Sequence, residues 1–241
     1  MHWWFPGNAS SVGGKVDSLF YVILYITGAV FVLVEATLLI FLVRYRHRSG
    51  RKAAHVEGSN RAEIIWTAIP AVILVTLALV SQPLWSRIKN DETYPKDAEH
   101  LGLEAKQFEW HFTYPGPDGK LGTDDDFMQK DTVHMVVGRD YVLEMTARDV
   151  VHSLFIPAFR LKQDIVPGMD IQMWIKPTKT GTFEIACSEL CGLGHYRMRG
   201  VVIVQTPHDY AAWLVTQGAA TAADSATAGL AADTTGRKGV S

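Results

Sequence analysis

Thr182–Val204 reads TFEIACSELCGLGHYRMRGVVIV. Its two ends, Thr182–Ala186 and Gly200–Val204, are short and rich in β-branched and aromatic residues, which is the composition of strands. Between them, Cys187, Cys191, His195 and Met198 bring two thiols, an imidazole and a thioether into about a dozen residues. These are soft and borderline donors of the kind copper prefers, and carboxylates suited to magnesium or calcium are nearly absent. Three plainer readings compete. A Cys187–Cys191 disulfide fits an oxidising compartment but leaves His195 and Met198 without a role. A structural zinc site needs a further His and leaves Met198 idle. Haem attachment needs C-x-x-C-H, whereas the spacing here is C-x-x-x-C, and C-x-x-C-H occurs nowhere in the chain. A single blue-copper site takes one Cys, two His and a weak axial Met, one thiol fewer than this stretch offers. Two cysteines can instead bridge two coppers, each then needing one His and one weak ligand. His195 supplies one imidazole. The other is open among His100, His111, His134 and His152. His152 is favoured because Val150–Ile156 is strand-like and leads straight into Pro157.

The strand pattern continues upstream in Leu101–Tyr114, Thr132–Val137, Tyr141–Thr146, Val150–Ile156 and Ile171–Ile175. Turn residues separate these segments: Pro115–Gly119, Gly138, Pro157, Pro167-Gly168, Pro177 and Gly181. There is no alternation of strand and helix. The pattern predicts an antiparallel sandwich or Greek-key barrel over 95–218. Thr206-Pro207-His208-Asp209 opens a short helix, with Thr206 as cap, Pro207 in the first position and Asp209 completing the box. The Ala/Thr/Gly-rich stretch 219–241 has too little apolar surface to fold and is expected to be a disordered tail. The acidic insert Pro117–Phe127 matches no calcium loop. It reads as a solvated hairpin tip, or as a docking patch for a basic protein.

Further out lie two long apolar runs. Leu19–Val43 carries one charge, Glu35, and Ile64–Trp85 carries none. Each reaches the ~20 residues a spanning helix needs, and the first is too long for a cleaved signal peptide. The connecting stretch holds Arg44, Arg46, Arg48, Arg51 and Lys52 against the single acid Glu57. The positive-inside rule puts it in the cytoplasm, with both termini and the β domain on the outer, periplasmic side of a bacterial inner membrane or its equivalent. The expected organisation is an external segment 1–17, a helix hairpin 18–90, the β domain and the tail. Glu35 is expected to face protein and to be protonated or hydrogen-bonded. Asn60 is expected to cap the second helix with Glu63 at N3. A net charge of −2 gives no nucleic-acid footprint.

The residues CSELCGLGHYRM, preceded by DVVHSLFIP and LKQDIVPGMD, resemble the dinuclear-copper (CuA) domain of cytochrome c oxidase subunit II. The segment Glu63–Pro70, EIIWTAIP, resembles the second transmembrane helix of the same family. The resemblance spans roughly residues 15–216. It implies an all-β, cupredoxin-like Greek-key domain behind a two-helix transmembrane hairpin. It also implies that Cys187 and Cys191 bridge two coppers, that His152 and His195 each bind one, and that Met198 and the backbone carbonyl of Glu189 are the weak ligands. The Glu189 carboxylate would reach a magnesium ion at the boundary with the catalytic subunit, and Glu63 would sit at the mouth of a proton path into it. Haem belongs to that partner, subunit I, and none to this chain. Other oxidase subunits, membrane lipid and a cytochrome c donor complete the implied surroundings. The implied function is electron intake for oxygen reduction coupled to proton pumping.

Two points bear on this resemblance. The family usually has Trp where this chain has Phe108, and that Trp is associated with electrons arriving from cytochrome c. Phe108 and Trp110 are therefore the candidates for that route, with Trp110 equally readable as core. An apolar shell of Phe155, Ile156, Leu190 and Leu193 is expected to keep water from the metals. The alternative functions are a CuA-bearing nitric oxide reductase subunit and a tethered copper chaperone. A quinol oxidase subunit II would lack the ligands present here.

Overall fold

The computed structural model describes residues 5–52, 55 and 57–217. The chain divides into two compact units. One is Lys15–Ser86, and the other joins the residues up to Gly14 with those from Arg87 onward. The predicted tail falls outside the described residues.

In the first unit, the apolar runs form α1, Gly13–Arg44, and α2, Asn60–Lys89. Neither buries any part of its most apolar window. Val43 is 73% exposed and Leu79 is 71% exposed. Helices that are apolar all round and unburied belong in hydrocarbon rather than water. The start of α2 differs from expectation by one residue: Ser59, not Asn60, is the cap. Its Oγ accepts from Ala62 N at 3.4 Å and its carbonyl accepts from Glu63 N at 3.0 Å. Asn60 is already inside the helix, so Glu63 moves past the capping-box position. Among the described residues, Glu35 makes no hydrogen bond or ion pair.

The second unit is a two-sheet sandwich. Its strands are β1 Glu99–Lys106, β2 Glu109–Tyr114, β3 Phe127–Lys130, β4 Thr132–Val136, β5 Tyr141–Ala147, β6 His152–Ile156, β7 Leu161–Ile165, β8 Ile171–Ile175, β9 Gly181–Cys187 and β10 Arg199–Gln205. One sheet runs β3-β2-β1-β5-β8 and the other β4-β10-β9-β6-β7. The chain therefore passes repeatedly from sheet to sheet, as a Greek-key sandwich requires. Alternation decides which side chains fill the middle: Leu101, Leu103 and Ala105 of β1 face Trp110, Phe112 and Tyr114 of β2 inside, all 1% exposed or less.

Two expectations need correction. The sheets are mixed, because β1 pairs parallel with β5 and β10 parallel with β4. Alternation reports which face a residue takes and carries nothing about strand direction. Leu101–Tyr114 is also two strands, turning at Gln107-Phe108. The strands β3 and β7 escaped the sequence reading. Both lie at sheet edges, where one-sided pairing tolerates the charged and polar residues of FMQK and LKQDI.

The N-terminal residues join this unit. Ala9 N donates to Ala158 O, Thr178 N to Ala9 O, and Ser11 N to Lys176 O, all within 3.0 Å. Ser10 Oγ donates to Phe159 O at 2.7 Å. At the far end, α3, Pro207–Thr216, is capped by Thr206 as expected, with Asp209 N donating to its Oγ1 at 3.2 Å.

Candidate metal centre

β9 and β6 are neighbours, paired through Leu154↔Cys187 and Phe155↔Ala186. This pairing brings the last residue of β9, Cys187, beside the first residue of β6, His152. Ser188 N donates to Ser153 O at 2.9 Å and Cys187 N to Met198 O at 3.1 Å, which fixes both ends of the intervening loop against β6 and β10. The loop is 187–198. It turns at Gly192, whose φ of +134° is open to glycine and strained for other residues, and it ends in the 3₁₀ turn His195–Arg197.

The donors converge. Cys187 Sγ and Cys191 Sγ lie 3.8 Å apart, far beyond the ~2.05 Å of a disulfide, and both thiols are free. His152 Nδ1 is 4.0 Å from Cys187 Sγ, and His195 Nδ1 is 3.6 Å from Cys191 Sγ. Met198 Sδ is 3.8 Å from Cys191 Sγ, and the Glu189 carbonyl oxygen is 3.3 Å from Cys187 Sγ. His152 and Met198 are fully buried, and Cys191 is 3% exposed. The arrangement is two thiols in the middle, one imidazole beside each, and one weak donor beside each. A buried thioether aimed at a thiol suits a soft metal and has no use in a zinc site. The donor set therefore fits copper.

The other three histidines are elsewhere. His100 meets Glu144 at 2.7 Å on the surface. His111 meets Glu109 at 2.7 Å. His134 stacks on Trp213 of α3, with ring centroids 4.0 Å apart, and bonds Gln205.

The sequence reading missed Asp149. Its Oδ1 lies 2.8 Å from His152 Nε2, and its Oδ2 accepts from Gln107 N at 2.7 Å. A carboxylate only accepts, so Nε2 carries a ring proton, and Nδ1, facing Cys187, is the nitrogen whose proton a metal would displace. Burial works against ionising Asp149, but the bonds from Gln107 N, His152 and Val150 N outweigh it and hold its carboxyl below the usual range. The thiols are unlike. Burial disfavours the Cys187 thiolate, yet bonding from His152 and the neighbouring backbone brings it down to about 6. Burial and the charge of Cys187 push Cys191 up to about 12. The signal in the sequence was the spacing of Asp149 and His152, three residues apart in the turn into β6.

The expected apolar shell holds for Ile156, which is fully buried, and fails for Leu190 and Leu193, which are 79% and 95% exposed. With Cys187, Cys191 and Met198 turned inward, the residues between them point out. Together with Tyr196, 70% exposed, they form an apolar rim over the centre. Of the two aromatic candidates, Trp110 is core, with its ring centroid 6.3 Å from that of His152. Phe108 is partly buried against the 187–198 loop. Glu189 presents an exposed side chain beside the site, and Glu63 lies in the other unit.

Comparison with known proteins gives a consistent result. The family described as "Cytochrome C oxidase subunit II, transmembrane domain" matches residues 1–84, and "Cytochrome C oxidase subunit II, periplasmic domain" matches residues 102–206. The chain is 33% identical to the alternative cytochrome c oxidase subunit 2 of Bradyrhizobium diazoefficiens, over 89% of this chain and 84% of the relative. It is 32% identical to cytochrome c oxidase subunit 2 of Thermostichus vulcanus, over 88% of this chain and 78% of the relative. Among solved structures, the periplasmic domain of subunit II of cytochrome oxidase of Bradyrhizobium japonicum aligns with a TM-score of 0.45 and 28% identity, covering 51% of this chain and 94% of that one.

Proposed function

Because the chain belongs to the cytochrome c oxidase subunit II family, we propose that Cys187, Cys191, His152, His195, Met198 and the Glu189 carbonyl hold its dinuclear copper centre. The protein is the subunit II of a haem-copper terminal oxidase, a membrane protein with a periplasmic copper-binding domain. Its function is to take electrons from cytochrome c and deliver them to haem in the catalytic subunit, where oxygen is reduced with proton pumping. The named relatives are oxidase subunits, which leaves the nitric oxide reductase alternative without support.

The carrying observation is the convergence of two free thiols, two imidazoles and a buried thioether at 3.6–4.0 Å. When bound, a thiolate-bridged copper pair supplies a one-electron carrier whose charge is shared by both metals. The protein's own part is positional. Cys187 and Cys191 would hold the pair as its two thiolates. Asp149 keeps the His152 Nε2 proton, so Nδ1 is the donor nitrogen. The β6–β9 pairing fixes the ligands on a rigid sheet, and rigidity of ligands limits rearrangement as the electron comes and goes. The apolar rim of Leu190, Leu193 and Tyr196 is a contact surface of the kind soluble monomers rarely expose.

We assign electron arrival to the Phe108 side of the loop, since Trp110 is sealed in the core. The exposed Glu189 carboxylate is the proposed magnesium ligand facing the catalytic subunit. Glu63, at the basic end of α2, is the proposed opening of a proton path. The termini and the sandwich are assigned to the outer side by the basic stretch between the helices.

The test is absorption and EPR of the full chain in detergent, loaded with copper. The expected result is a purple protein with two coppers per chain and hyperfine structure from one electron shared equally by two copper nuclei. A blue, single-copper spectrum overturns the assignment. Affinity should also fall with acid. Copper needs both thiolates. From neutral down to about pH 6 the Cys191 proton, with its pKa of about 12, must be displaced, together with the ring proton of His152, where burial disfavours the imidazolium but bonds to Cys187 and Asp149 outweigh it and hold it above its usual range; below about 6 the Cys187 proton must be displaced as well. Competition dialysis should show affinity falling as the pH drops, and falling more steeply below about pH 6 than above it.

A further inference from the structure

The metal centre is assembled from two pieces of chain, and one residue outside the ligand set is bonded to both. The backbone N–H of Gln107 donates to Asp149 Oδ2 at 2.7 Å. The other oxygen of that carboxylate accepts from His152 Nε2 at 2.8 Å. The side-chain amide of the same Gln107 donates to the carbonyl oxygen of Cys191 at 2.6 Å. Its neighbour Phe108 lies flat against the loop: a Cβ on Gly194 would come within 2.5 Å of the Phe108 ring, and one on Gly192 within 2.7 Å of the Gln107 amide nitrogen. Only glycines at 192 and 194 let the β1–β2 turn approach this closely.

We infer that Gln107 is a positioning residue that latches the Cys191–His195 half of the copper centre to the His152 half, setting the spacing of the donors before any metal arrives. The loop is anchored at Cys191 and Met198, which are buried, and Gln107 adds a side-chain bond at the first of these points. Leu193 and Tyr196 stand in solvent, and the 3₁₀ turn holds only its own backbone. Without the amide, the Cys191 carbonyl loses its side-chain donor and the stretch carrying Cys191 and His195 is held less tightly to the β1–β2 turn. A ligand set that is closed without metal rearranges little when the charge on the metals changes. The latch is thus a determinant of electron-transfer rate. The inference deepens the copper reading, but its first test needs no metal.

Gln107→Met keeps the length of the side chain and removes the donor. Gln107→Glu keeps the shape and sets a carboxylate against the Cys191 carbonyl. In metal-free, full-length chain, the loop thiols of both variants should be alkylated by iodoacetamide up to about tenfold faster than in the unaltered protein, the factor expected for loss of one part-buried hydrogen bond. After copper loading, both should shift the copper hyperfine splitting and the reduction potential at unchanged copper content. Where Gln107→Met fails to accumulate, Gln107→Glu carries the same test. Unaltered alkylation together with an unaltered spectrum overturns the latch. Faster alkylation in a chain that never gives a shared-electron spectrum upholds the latch and removes the copper assignment instead.

Discussion

Cys191→Ser in the assembled oxidase is expected to leave one copper per chain in place of two and to reduce cytochrome c oxidation more than about 100-fold. Cys191 is the hub of the donor set. Its sulfur is within 3.8 Å of three other donors: Cys187 Sγ, His195 Nδ1 and Met198 Sδ. A serine hydroxyl is a hard donor that does not ionise near neutrality, so it replaces neither the charge nor the bridge. His195 and Met198 are then left without a thiolate to share a metal with. Cys187, His152 and the Glu189 carbonyl remain together, so a single copper held by one thiolate and one imidazole should persist on that side. Loss of a partner outside the ligand set typically costs ~10–100-fold in metal affinity, and loss of the bridging ligand itself should exceed that. The substitution changes one atom in a loop outside the strands, so the sandwich should still fold. Copper analysis, EPR and turnover on the same preparation check it. Two coppers and normal turnover in Cys191→Ser would show that the bridge is misassigned.

Gly200→Ala is expected to destabilise the sandwich by about 1–3 kcal/mol, the range for forcing an extra methyl into a packed core. Gly200 lies in β10, two residues beyond Met198. A Cβ there would stand 2.7 Å from the Asp131 carbonyl oxygen and 3.3 Å from Trp110 Cδ1. The first of these is backbone and cannot rotate away. It is also fixed on two sides, because Asp131 O accepts from Val201 N at 2.9 Å and Asp131 N donates to Trp110 O at 2.7 Å. Relief requires β10 to move off β4, which shifts Met198 away from Cys191. The thermal midpoint should fall by a few degrees per kcal/mol, and copper retention should fall with it. Gly7→Ala, where the added methyl meets nothing within 4 Å, should leave both unaltered and is the natural control. A Gly200→Ala protein with an unaltered midpoint would mean that the β10–β4 contact is looser than the distances state.

Much of this molecule is legible from local pattern. The helices α1 and α2 follow from the length of two apolar runs, because 1.5 Å per residue and a ~30 Å hydrocarbon layer leave little choice. Eight of the ten strands fall within segments whose alternation or β-branched content marks them, and Thr206-Pro207 caps α3 as its chemistry dictates. The two strands that escaped are edges, where partners on one side only and solvent on the other relax the composition that makes a strand recognisable. The parallel pairings of β1 with β5 and β4 with β10 escaped for a different reason: a period of two is the same in either direction.

The metal centre divides along the same line. By itself, the sequence determined the donors that are close in the chain. Four donor side chains within a short loop between two strands are a local fact, and their softness points to copper. The sequence favoured His152 as the distant imidazole by its strand position and by the family resemblance, and it is the tertiary structure that brings its ring to the thiols. Four histidines were available, and the β6–β9 pairing brings His152 to Cys187, while His100 and His111 go to surface carboxylates and His134 goes under Trp213. Tertiary structure also turned Leu190 and Leu193 outward, since a loop that aims its cysteines and methionine inward has no inward direction left for the residues between. The same holds for Asp149 and Gln107. Their roles rest on hydrogen bonds whose partners lie 3, 42 and 84 residues away, and at the longer separations sequence order carries no record of distance in space.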